Sequence, residues 1–119
     1  MVGVTWTLDT LQSNGQAAES TTGIGLTITF GADGRVSGSG GCNQFSGTYA
    51  ADTAGKLTFS PLAATKIGCA AAINDRETRY FTTLQEVSGY ALDGSSTLRL
   101  TFAQSGRQLV YQSAAAAQP

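Results

Sequence analysis

Two cysteines in a chain with no histidine frame the chemistry open to this protein. Cys42 follows Val36-Ser37-Gly38-Ser39-Gly40-Gly41 and precedes Asn43-Gln44-Phe45-Ser46-Gly47-Thr48-Tyr49, and Cys69 lies 27 residues further on. Such a pair could form a disulfide, half a metal site or two buried thiols. Zinc asks for about four ligands, and there is no histidine to join two thiols. Neither cysteine belongs to a Cys-x-x-Cys redox motif. One disulfide, Cys42 to Cys69, is the most economical reading, and it implies an oxidising compartment. In the chain-entropy description it stabilises the fold by about 3–4 kcal/mol.

Without histidine, neither Ser-His-Asp nor Cys-His catalysis is available, and the usual base near neutral pH is missing. A Ser-Lys pair using Lys56 or Lys66 is formally open, but no motif sets a serine beside either lysine. Asp33 and Asp93 each precede glycine at an expected turn. Asp75 and Glu77 fall in an expected first helical turn, where the dipole accounts for them. Gly38-x-Gly40-Gly41 is not a phosphate loop, because such a loop runs from strand to helix and strand patterns flank it on both sides. Asn43 is read as the residue that satisfies backbone groups in the glycine-rich bend. The expectation is a protein that is not an enzyme, with no catalytic residue, metal or cofactor.

These residues need a scaffold, and its pattern is legible. The chain has 119 residues, one domain's worth, with 41% hydrophobic and only 13% charged residues. Net charge is -1 and the seven basic residues are scattered, which argues against nucleic acid as a partner. No apolar run is long enough to make a transmembrane helix. Apolar and polar residues alternate at Thr5–Leu8, Leu26–Phe30, Arg35–Gly38, Phe45–Tyr49, Lys56–Phe59, Thr97–Phe102 and Gln108–Tyr111. Turns are expected at 13–15, 32–34, 51–55 and 105–106. Strands at this spacing predict an antiparallel sandwich or barrel.

One segment has helical period. Asn74-Asp75-Arg76-Glu77 reads as a capping box with Ile73 as a hydrophobic staple. Tyr80, Phe81, Leu84 and Val87 make one stripe, and Gly89 stops it, predicting a helix over about 75–87. Tyr80 and Phe81 are expected to be core residues first. As a candidate ligand groove, Tyr80, Phe81 and Leu84 would lie under that helix. A single domain is expected over 1–112, with 113–119 as a frayed tail, and the protein as a monomer. No secretory signal leads into Trp6, so an exported protein is expected here in its mature form.

The motifs resemble a known family. Trp6-x-Leu8, the run from Val36 through Gly40-Gly41-Cys42-Asn43 to Tyr49, Leu57-x-Phe59 and Pro61-Leu62-Ala63-x-Thr65-x-x-x-Cys69 are similar to the META domain (DUF306) family of HslJ-like, heat-inducible bacterial envelope proteins. Glu77 with Phe81 and Leu84, Tyr90, Leu98-x-Leu100 and Gly106 continue the likeness. Ile67 stands where methionine is common, and no lipobox cysteine is present. The resemblance implies an antiparallel sheet curled into a partly closed barrel with one helix. It implies the periplasm, the outer-membrane periphery or secretion as the setting, with a role in stress response or envelope maintenance. It carries no catalytic residues. The implied activity is binding of a protein or a small apolar ligand; the alternative is a peptidase inhibitor presenting a rigid loop at 13–23 or 51–55.

Overall fold

Period-two alternation builds nearly all of this molecule. A computed structural model describes residues 2–12, 18–21, 24–94, 96–103 and 107–113. They form β1 (Thr5–Gln12), β2 (Glu19–Ser20), β3 (Thr27–Phe30), β4 (Arg35–Ser39), β5 (Gln44–Ala51), β6 (Leu57–Phe59), β7 (Ala63–Ala64), α1 (Ala71–Gln85), β8 (Gly89–Asp93), β9 (Thr97–Thr101) and β10 (Gln108–Ser113). The sheet order is β6-β5-β4-β3-β1-β10-β9-β8, with β2 on β1 and β7 on β5. Every strand pair is antiparallel.

The two ends of that order meet. Lys56 bridges Gly89, the Leu57 amide donates to Ser88 O at 3.2 Å, and the Tyr90 amide donates to Gly55 O at 2.9 Å. A Cβ on Gly89 would sit 2.8 Å from Gly55 O, so glycine is what lets the backbones approach. The result is the mainly β, nearly closed barrel that the resemblance implied, with one helix packed on it.

Inside, the strands contribute alternate side chains. Trp6 and Leu8 of β1 point inward, and a register shift between Leu8 and Thr10 then changes the phase so that Leu11 points inward as well. Ile28 and Phe30, Val36, Phe45, Leu57, Leu98 and Leu100, and Leu109 and Tyr111 complete the strand side of the core. Each large apolar side chain removed from water contributes about 1.5–3 kcal/mol.

Helix α1 starts and stops earlier than the pattern of residues 75–87 suggests. Its first residue is Ala71, its N-cap is Ala70, and no side chain caps it. The alanines at 70–72 are strong helix formers and extend the first turn backward. Asn74 lies inside the helix and turns back to the preceding segment, its Nδ2 donating to Cys69 O at 3.1 Å. The expected capping box is thus absent, and Ile73 lies within the helix rather than before its cap. At the other end the helix closes at Gln85, with Glu86 as C-cap, and Val87 is buried beyond it. Gly89 opens β8 instead of ending the helix. Ser113, expected to begin a frayed tail over 113–119, instead ends β10, where it is buried and pairs with Trp6. The rest of that tail, 114–119, and the turns at 13–15 and 105–106 lie outside the described residues.

Candidate functional site

The site begins at the connection between β4 and β5. Four residues, Gly40 to Asn43, reverse the chain, and the Gly40 amide donates to Asn43 O at 2.8 Å. Gly41 has φ +100°, open to glycine at little cost. A Cβ on Gly40 would stand 2.6 Å from Glu77 Cγ and 2.7 Å from Phe81, so the bend can lie flat against α1 only because Gly40 has no side chain. This bend carries Cys42 to Cys69, and the two form a disulfide with Cα atoms 6.3 Å apart.

Asn43 is buried and uses its entire hydrogen-bonding capacity. Its Oδ1 accepts from the Ile67 amide at 2.6 Å and from Thr65 Oγ1 at 2.8 Å. Its Nδ2 donates to Ile67 O at 3.1 Å and to Glu77 Oε1 at 2.6 Å. The side-chain amide holds Ile67 as a neighbouring strand would, engaging its N–H and its C=O together. Thr65 is fixed as well, its amide donating to Gln44 O at 3.0 Å and its hydroxyl accepting from the Gln44 amide at 3.1 Å.

Glu77 anchors this arrangement from the helix. Its Oε2 accepts from the Cys42 amide at 3.0 Å and the Asn43 amide at 2.5 Å, while Oε1 accepts from Asn43 Nδ2. Burial disfavours its charge and pushes its pKa up, but the donors from Asn43 and Cys42 outweigh that, and the carboxyl is held below its ordinary value. Glu77 is therefore a fixed anion rather than a proton carrier at neutral pH. The sequence did hold a signal for this partnership. Glu77 lies three, four and seven residues before Tyr80, Phe81 and Leu84, on the apolar stripe, where a carboxylate needs donors from another element.

The three expected groove residues separate. Tyr80 and Leu84 are fully buried, and the Tyr80 hydroxyl lies 2.8 Å from that of Tyr111 inside the barrel. Desolvation by burial raises the pKa of both phenols, keeping them neutral. Phe81 alone reaches a surface cleft. Between α1 and β7 it lines a cavity of about 190 Å³ with Phe45, Leu62, Ala64, Thr82 and Gln85. The cleft widens toward the helix N-terminus into an open space of about 440 Å³ bordered by Asn43, Thr65–Gly68, Asn74, Glu77 and Thr78. Gln85 closes its far end, accepting from the Leu62 amide at 2.6 Å and donating to Ser60 O at 3.1 Å.

Along one bank of the cleft, residues 65–70 are all exposed. Ile67 is 60% exposed, although its backbone is clamped. A second concavity, about 710 Å³, lies on the sheet face formed by Thr5, Thr27, Thr29, Ser37, Ser39 and Ser46, and carries no ionisable group in its lining. Among the described residues, no three of Cys, Asp or Glu gather as a metal site. Of the two loops considered for rigid presentation, 51–55 is a tight turn in which Asp52 Oδ1 accepts from the amides of Ala54 and Lys56. Most of 13–23 lies outside the described residues.

The META family model matches residues 1–116. The chain belongs to the META domain family. Solved structures carry the same fold. A protein from Burkholderia xenovorans, determined by NMR, is similar at TM-score 0.74 and 23% identity over 94% of this chain and 82% of its own. A DUF4847 family protein from Bacteroides vulgatus is similar at TM-score 0.66 and 19% identity over 93% and 92% of the two chains. A further NMR structure reaches 27% identity at TM-score 0.64, covering 92% and 87%. No curated protein matches the sequence significantly. In this META domain, the glycine-rich motif builds a hydrogen-bonded corner that joins bend, helix and exposed segment. Within the described residues, no helix is long and apolar enough to cross a membrane.

Proposed function

We propose that this META domain is a non-catalytic, exported binding module that engages a protein through the 65–70 segment and its cleft with α1. Ile67 carries the reading. A large apolar side chain is 60% exposed on a backbone whose N–H and C=O are both tied to buried Asn43. Holding an apolar group in water while fixing its backbone prepares it for burial against a partner, since the ordering cost is met before association. The interior favours a protein over a small apolar ligand. Tyr80 and Leu84 are sealed in the core, and the part of the helix cleft beside Phe81 is only about 190 Å³, below the roughly 300–1,000 Å³ of ordinary ligand sites. The larger spaces of about 440 and 710 Å³ are shallow and open to solvent. The disulfide supports an oxidising compartment, and family membership supports a role in stress response or envelope maintenance.

Site-specific photo-crosslinking in the host envelope tests this. A crosslinker at Ile67 should give one discrete protein adduct, while one at Leu92, also apolar and 42% exposed, should not. Equal patterns from the two positions would refute the assignment.

A further inference from the structure

Residues 65–69 read Thr65-Lys66-Ile67-Gly68-Cys69, and their hydrogen bonding follows a particular alternation. Thr65 and Ile67, on either side of Lys66, are both bound to Asn43. Among the described residues, Lys66 itself has no hydrogen-bond partner for its amide or its carbonyl. Its side chain is exposed and takes part in none of the ion pairs formed there. Three residues beyond Lys66, Cys69 is tied through the disulfide to Cys42, the neighbour of Asn43. The segment thus offers one basic residue with open backbone groups between two residues held from behind.

Peptidases bind substrates as extended segments, pairing with alternate backbone groups and selecting one side chain in a deep pocket. From this match we infer that Lys66–Ile67 is presented as a substrate-like bond that inhibits a serine peptidase whose primary pocket is anionic. The inference rests on the binding role proposed above for this segment and names its partner. Lysine is the side chain that an acidic primary pocket selects. The fixed backbone lowers the ordering cost of docking.

The same clamp explains inhibition rather than digestion. Attack by the peptidase serine on the Lys66 carbonyl would transfer the acyl group to the serine oxygen. The serine proton would pass to the Ile67 nitrogen as the leaving amine. That amine cannot diffuse away, because Ile67 is bound to Asn43 and Cys69 is cross-linked to Cys42. Its return to the acyl carbon reforms the peptide bond and gives the proton back to the serine, ahead of water.

The test titrates the oxidised, full-length protein against trypsin, with chymotrypsin as the control, reading hydrolysis of a small chromogenic substrate. The expected result is stoichiometric inhibition of trypsin with a Kd below about 1 µM, a loose upper bound for peptidase–inhibitor pairs, which are among the tightest complexes known. Lys66 is exposed, so its replacement should leave folding intact. Lys66→Ala should weaken inhibition by about 100-fold or more, as expected for a central anchor, and Lys66→Leu should move inhibition to chymotrypsin. Asn43→Ala, provided its disulfide-intact fold is confirmed by circular dichroism, should turn the protein into a substrate cut between Lys66 and Ile67. The inference is overturned by no inhibition of trypsin, by undiminished inhibition from Lys66→Ala, or by wild-type cleavage at the rate of an unstructured peptide. A discrete Ile67 crosslink to a protein other than a peptidase, with trypsin unaffected, would remove this inference and leave the binding role standing. Absence of both would remove the two together.

Discussion

The barrel interior and the corner around Asn43 are held by opposite kinds of force. Inside the barrel, Trp6, Leu8, Phe30, Leu84 and Leu100 are packed from all sides and gain by leaving water, with little dependence on direction. At the corner, the bend lies against Phe81 and Leu26, but packing does not by itself fix the exposed segment. Position is set by donors and acceptors that each have one correct direction, together with a disulfide worth about 3.5 kcal/mol for its loop length. The first kind of force makes a stable fold, and many sequences can satisfy it. The second places one exposed segment to within a hydrogen bond's tolerance, which is the precision that recognition of a partner requires.

The sharpest contrast should come from removing one member of each region. Leu84→Ala opens a cavity between α1 and the strands and should cost about 4 kcal/mol, within the range for buried leucines. Urea denaturation measures it, and the midpoint should fall with little change in slope. The exposed 65–70 segment should keep its place in the folded fraction, because its partners lie elsewhere. If Leu84→Ala also destroyed the inhibition or crosslinking expected at Lys66 and Ile67 in protein that remains folded, the two regions would not be separable.

Glu77→Gln acts on the corner instead. The variant replaces a carboxylate that receives three hydrogen bonds with an amide whose NH₂ must face another donor. The expected loss is about 2 kcal/mol. Acid titration gives the same residue a second signature. Because its folded-state pKa is lowered, Glu77 contributes stability that is fully present above the ordinary value of 4.5. That contribution disappears as pH falls through the lower folded-state value. Wild-type stability should therefore decline below pH 4.5 more steeply than that of Glu77→Gln. Parallel acid profiles would show that Glu77 does not anchor the bend as an anion.

The same division explains what could be read from the chain. Alternation placed Ile28, Phe30, Leu98 and Leu100 on the inner face, because a strand's period is local and a barrel has one dry side. It did not reveal β2 or β7, two residues each, whose pairing is imposed by neighbours rather than by their own pattern. Asn74 and Glu77 have the spacing of a capping box, and local reasoning assigned them to one another. In the fold, Glu77 serves Asn43, 34 residues away, and Asn74 serves Cys69. A hydrogen-bonding side chain can satisfy a local rule and still be recruited over a long range, and only the folded chain decides. Asn43 was expected to satisfy the backbone of the bend, but the bend's Cys42 and Asn43 amides donate to Glu77, and the Asn43 side chain serves Ile67, Thr65 and Glu77 instead. Its hold on Ile67 was not legible, since nothing near residue 67 announces an amide partner.

The smallest expected effect tests whether the barrel holds any directional element of its own. Tyr80 and Tyr111 share a hydrogen bond of 2.8 Å in the buried interior, and Tyr80 also lies 3.4 Å from Thr27 O. The two phenols are therefore not equivalent. Tyr111→Phe leaves the Tyr80 hydroxyl with Thr27 O as an acceptor and should cost well under about 1 kcal/mol. Tyr80→Phe removes the hydroxyl that joins Tyr111 to this carbonyl and leaves the Tyr111 hydroxyl buried without its partner, at about 1–2 kcal/mol. The double variant removes both polar groups and should be no worse than Tyr80→Phe alone, so its cost falls short of the sum of the two singles by at least the cost of Tyr111→Phe. A double variant whose cost equals the sum of the two singles, measured by denaturant unfolding, would mean that the hydroxyls are uncoupled and the pair is held by packing alone. In that case the division between a packed barrel and a hydrogen-bonded corner would be complete.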